Sequence, residues 1–90
     1  MENIINRIRE MERIFDALLM TAKQNPEKFR TDSETVQNMN ALIRYYEGDE
    51  WRADYEADEK GLIPKTLKRG VLSEDGIYDL ICDYEAILRK

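Results

Sequence analysis

Residues 2–24 read ENIINRIREMERIFDALLMTAKQ, and the period of this stretch decides the fold. Ile4, Ile8, Met11, Phe15, Leu18 and Ala22 recur at alternating spacings of four and three. That spacing puts them on one face of an α-helix and on both faces of a strand, so the segment is a helix. Ile5, Ile14 and Leu19 widen the apolar arc, while Arg7, Arg9, Glu10, Glu12, Arg13 and Asp16 read as the solvated side. Glu10 and Arg13 stand three apart, the spacing of a surface pair. Asn25-Pro26 ends the helix or starts a new turn, because a residue before proline avoids helical torsions.

The same period returns twice. Thr31 and Glu34 have capping-box spacing before Val36, Met39, Leu42, Ile43 and Tyr46, with Gly48 as a stop. Ser73 is an N-cap candidate followed by Glu74 and Asp75, which suit the positive end of a helix. Leu72 and Ile77 have the spacing of a hydrophobic staple, and Ile77, Leu80, Tyr84 and Ile87 carry the stripe onward with Ile81 and Leu88 beside it. The expectation is an all-α, three-helix bundle in a single domain, with helices about 2–24, 32–47 and 73–89. A long connector, 48–72, joins the last two and holds a short helix over 49–57. Trp51, Leu62, Ile63, Leu67, Val71 and Leu72 give that connector enough apolar surface to tack it to the core.

Ninety residues suit one domain. Fourteen basic against 19 acidic residues give a net charge of −5, which disfavours direct contact with nucleic-acid phosphates or an anionic membrane. The N-terminal residues do not form a signal peptide, and no stretch approaches the roughly 18 apolar residues of a membrane span. Cys82 is the single cysteine, so no internal disulfide forms, and a cytoplasmic, reducing location is expected.

Part of the connector resembles a known family. Trp51, Asp54-Tyr55-Glu56-Ala57-Asp58-Glu59, Gly61, Pro64 and Leu67-Lys68-Arg69-Gly70-Val71-Leu72-Ser73-Glu74-Asp75 look like the signature of a bacterial domain-of-unknown-function family of short helical proteins. The likeness spans roughly 45–81 and implies no activity. Gly76 departs from the pattern, and as a poor helix former it weakens the first turn of the third helix.

Chemistry is scarce. Histidine is absent, which removes the commonest general base and transition-metal ligand. Cys82 falls opposite the apolar face between Asp79 and Glu85, whose charges disfavour a thiolate. A calcium loop begun at Asp54 would put Glu59 where glycine is needed and Lys65 where glutamate is needed. No catalytic, metal or cofactor site is expected, and the chain reads as no enzyme. Lys68-Arg69-Gly70 ahead of a helix start has the parts of an anion site, but Glu74 and Asp75 oppose it. Internal pairing is the better reading, because seven acids between Glu47 and Glu59 precede the bases Lys60, Lys65, Lys68 and Arg69. Asp75, Asp79 and Asp83 form an acidic ridge at four-residue spacing.

The expected function is a non-catalytic protein-interaction or regulatory module with a protein partner. The alternative is an acidic inhibitor from a mobile element that imitates nucleic-acid charge and blocks a basic protein site. The expected partner surface is Asp54, Asp58, Lys65, Lys68, Arg69, Asp75, Asp79 and Asp83. Trp51, Tyr55, Leu72, Ser73 and Ile77 are the expected structural anchors, with Trp51 buried against the second and third helices. The wide apolar arc of the first helix also raises the expectation of a homodimer.

Overall fold

The computed structural model describes residues 2–73 and 75–89. Among them there are only helices, turns and irregular segments: α1 (Glu2–Gln24), α2 (Lys28–Thr31), α3 (Ser33–Glu47), α4 (Asp49–Glu59), a 3₁₀ turn (Gly70–Leu72) and α5 (Gly76–Arg89). The all-α class therefore stands, with five helices where three and a short fourth were expected. The molecule measures 41 × 18 × 17 Å. At 1.5 Å rise per residue, α1 alone accounts for about 34 Å of that length.

The core follows the period of α1. Ile8, Ile14, Phe15 and Leu18 are buried, with Ile4, Met11 and Ala22 packed against them in part. On α3 the buried line is Thr35, Met39, Leu42 and Tyr45; Met39 and Leu42 are as expected, while Thr35 and Tyr45 take the places expected for Val36 and Tyr46. Tyr45 turns inward because its hydroxyl has a buried acceptor, Asp54. On α5, Ile77 and Leu80 are buried, while Tyr84 and Ile87 pack in part and Leu88 reaches solvent.

Three local corrections have clear causes. Asp32, not Thr31, caps α3: its carboxylate accepts from the Thr35 N–H at 3.0 Å and the Thr35 hydroxyl at 2.6 Å. Thr31 belongs to α2, the new turn that Asn25-Pro26 allowed, rather than to the start of α3. That turn buries Phe29 against α3 and α5, its ring 5.7 Å from Tyr84. Finally, α4 runs past Ala57 to Glu59 and ends in a Schellman arrangement. Gly61 takes φ +73°, the Leu62 N–H reaches the Ala57 carbonyl and the Gly61 N–H reaches that of Asp58.

The Ser73 hydroxyl accepts from the Gly76 N–H at 3.1 Å, as an N-cap does, and donates to the Gly70 carbonyl at 2.9 Å. Glu74, expected to support this helix start, lies outside the described residues. Gly76 proves to be a packing requirement rather than a weakness. A Cβ there would stand 2.5 Å from Ser73 Oγ, 3.1 Å from the Gly70 carbonyl oxygen and 3.2 Å from Phe15 Cζ. Alanine would gain about 1 kcal/mol of helix propensity, yet it would displace the cap and overfill a packed site, which costs about 1–3 kcal/mol. Gly76→Ala is therefore expected to lower stability in a urea melt, and a stabilised variant would contradict the packing.

Candidate functional site

The connector between α4 and α5 is irregular over 60–69, yet helix side chains hold it at several points. Val71 is the centre of this arrangement. Its side chain is fully buried. Its N–H donates to Glu12 Oε1 at 2.8 Å, and its carbonyl accepts from Trp51 Nε1 at 3.0 Å. One backbone unit is thus clamped by side chains from α1 and α4, which satisfies two groups that an irregular segment would otherwise bury unpaired. Ile63, Val71 and Leu72 seat the same segment in the core, with Leu67 packed in part.

Trp51 is mostly buried, as expected, and packs in part against the core. Its ring is caught edge-on by Tyr46 at 5.0 Å and stacked on Tyr55 at 5.1 Å. This aromatic row joins α3 to α4, and the indole N–H is directed at the Val71 carbonyl.

Glu12 was assigned to the solvated side of α1 but is buried. Burial pushes its carboxyl above the ordinary carboxylate range; the Val71 N–H opposes the shift, nearby Asp16 adds to it and Lys68 reduces it. The sign follows directly. The folded state binds the proton more readily than the unfolded chain, so this group adds stability as pH falls through its raised value. Glu12→Gln keeps an acceptor for Val71 without the charge. It is expected to match or exceed the wild type at pH 7, with the difference closing as pH approaches the ordinary 4.5. Glu12→Ala leaves the Val71 N–H unpaired and should cost about 1–3 kcal/mol. Equal losses for both variants would show that the charge itself is needed.

A second buried group ties α4 to the other helices. Asp54 is fully buried. Arg7 of α1 grips its carboxylate with two donors, Nε at 2.9 Å and a terminal nitrogen, while the Tyr45 hydroxyl of α3 donates at 2.7 Å. A further Arg7 nitrogen reaches Glu50 at 3.2 Å. The hydrogen bond that Arg7 donates to Asp54 holds the guanidinium above its ordinary value. Burial first, then Asp54, push the Tyr45 hydroxyl well above the usual tyrosine range, so it stays a donor. Asp54 is therefore no part of an outward surface: a cation 47 residues upstream draws it inside.

The remaining expected surface residues fall into two groups. Asp58 pairs with Arg69, both partly buried, and Lys68 pairs with Asp16 of α1 at 2.6 Å. The basic half of the connector thus folds partly onto the acidic half and partly onto α1. Lys65 is exposed and makes no ion pair among the described residues. Asp75, Asp79 and Asp83 are exposed on or beside α5, and no ion pair joins them to the connector group among the described residues. Leu62 is 51% exposed beside buried Ile63, so the irregular segment presents an apolar side chain and a free cation together.

Sequence reasoning missed Glu12, Arg7 and Tyr45. It also placed Asp54 outside, and a signal existed for Glu12 and for Asp54. Glu12 stands four after Ile8 and three before Phe15, inside the apolar spacing, and Trp51, Asp54 and Ala57 share a three-residue spacing that marks the inner face of α4. No local pattern reveals Arg7.

The family described as Domain of unknown function (DUF4298) matches residues 8–90. The chain belongs to this family. The match reaches well beyond the 45–81 of the resemblance and takes in most of α1, including Glu12 and Asp16, whose side chains meet the connector. No curated protein and no solved structure matches the chain. Among the described residues of this DUF4298 protein, no group of three or more cysteines and carboxylates is placed to hold a metal, and no helix is long and apolar enough to cross a membrane.

Proposed function

We propose that this DUF4298 protein is a non-catalytic interaction module of the reducing cytoplasm. In this reading α1, α3 and α5 act as a three-helix framework and the connector is the surface a protein partner reads. One observation carries the proposal: the connector, irregular over 60–69, is anchored at its closing 3₁₀ turn by dedicated side chains from two helices, Glu12 and Trp51 on Val71, while Leu62 and Lys65 remain outward. Ordering such a segment costs about 1–2 kcal/mol per residue in backbone entropy, which an idle loop has no need to meet. Affinity capture from the native host tests it with the double variant Leu62→Asp, Lys65→Glu. A protein retained by the wild type and lost by the variant, at unchanged melting temperature, is the expected result. Identical capture profiles would end the proposal.

A second reading, the acidic inhibitor, draws on α4 and its approach. Glu47, Asp49, Glu50, Glu56 and Glu59 are all exposed, and Arg7 reaches Glu50. Its partner would be a basic protein, and neutralising these carboxylates rather than changing the connector tip would abolish capture.

A further inference from the structure

We propose that the groove between α1 and the connector receives an acidic, amphipathic helix of a partner protein. This rests on the interaction-module reading and names the partner's chemistry. The groove has a volume of about 490 Å3, with Ile5, Pro64 and Leu67 among its apolar lining and Arg9, Arg13 and Lys68 among its polar lining. A second recess of about 420 Å3 shares Asp16 and Lys68 with it and continues past Leu19 and Met20 to Lys23.

The two recesses follow one stripe of α1. At 100° per residue, Ile5, Arg9, Asp16 and Lys23 fall within about 40° of one another, with Leu19 and Met20 on either side. From Ile5 to Lys23 the stripe is about 27 Å long, the length of a helix of five turns. Leu19 and Met20 are 41% and 56% exposed, so its far end offers apolar surface that no part of the described chain covers.

Charge decides the occupant. The chain carries net −5, yet the open rim of this groove is basic. Its acids are already engaged: Glu12 is turned inward to the Val71 N–H, and Asp16 faces Lys68. Arg13 is shared with Glu10. Arg9 and Lys23 make no ion pair among the described residues. An incoming segment therefore meets unmatched cations above an apolar floor, which suits carboxylates flanking leucine-like side chains. A second copy of this chain is disfavoured by mutual repulsion of like net charge.

The probes are two synthetic amphipathic peptides with leucines at identical helical spacing, one with glutamate and one with lysine at every other position. Titrated into the isotopically labelled full chain, the Leu/Glu peptide should shift backbone amides around Ile5, Arg9, Arg13 and Leu67. Arg9→Glu should weaken it about tenfold without changing the melt, and the Leu/Lys peptide should leave these amides unmoved. No binding of the Leu/Glu peptide, equal binding of both, or shifts confined to another face would overturn the proposal. So would concentration-dependent shifts of the groove amides in the protein alone, which would assign the groove to a second copy. Native-host capture separates the two readings. A partner kept by Arg9→Glu but lost by the Leu62 and Lys65 variant would sink the groove and leave the module standing; capture unaffected by either variant would remove both.

Discussion

Asp54→Ala is expected to lose about 3–5 kcal/mol of stability, the cost of leaving a buried charge without its partner. Arg7 would keep its guanidinium three-quarters buried with nothing but Glu50 to face, and the Tyr45 hydroxyl would lose its acceptor. The loss measures the broken network rather than the net worth of the ion pair. For that reason a combined replacement, Arg7→Met, Tyr45→Phe and Asp54→Leu, should recover most of it, since well-packed apolar groups often match a buried ion pair. Urea melts of the two proteins provide the check. A single variant within about 1 kcal/mol of the wild type would mean that Asp54 is solvated and the triad is not formed.

The other large effect belongs to the opposite end of the molecule. Phe29→Ala should cost about 3–5 kcal/mol, because the ring is 1% exposed and removing it leaves a cavity between α2, α3 and α5. Arg30, next to it, donates to the Ile87 carbonyl near the end of α5, so the last turns of α5 should loosen with the loss of this ring. Hydrogen exchange over residues 84–89 should quicken in the variant more than exchange around Tyr45. A loss below about 1 kcal/mol would place Phe29 outside the core.

The two sites show where sequence reading succeeds and where it stops. The stripe of α1 was legible because burial on one helical face imposes a period, and Ile8, Phe15 and Leu18 keep to it. The bond from the Gly76 N–H to the Ser73 hydroxyl was legible because it spans three residues, although α5 begins at Gly76 rather than at the expected 73. Asp32 was displaced by one position, since Thr31 and Asp32 both carry an oxygen that suits a cap and only the chain path after Phe29 selects between them. Asp54 was misread because burial of a charge depends on a partner distant in sequence, and composition alone assigns every acid in an acidic run to solvent. Gly76 was misread for a related reason: propensity is local, whereas the crowding by Phe15 and Gly70 is tertiary. The candidate site was thus visible as a segment and as a set of surface charges, while the clamp that orders it was not.

The central claim is that Val71 is clamped between Glu12 and Trp51, so that the 3₁₀ turn closing the connector behaves as part of the core. Amide hydrogen exchange at Val71 tests it most directly. In the wild type this N–H should exchange as slowly as the amides of Leu18 and Leu42, through global opening, and Glu12→Ala should speed it far more than it speeds those two. Exchange of the wild-type Val71 amide at the rate of an unstructured peptide, with α1 and α3 still protected, would contradict the account.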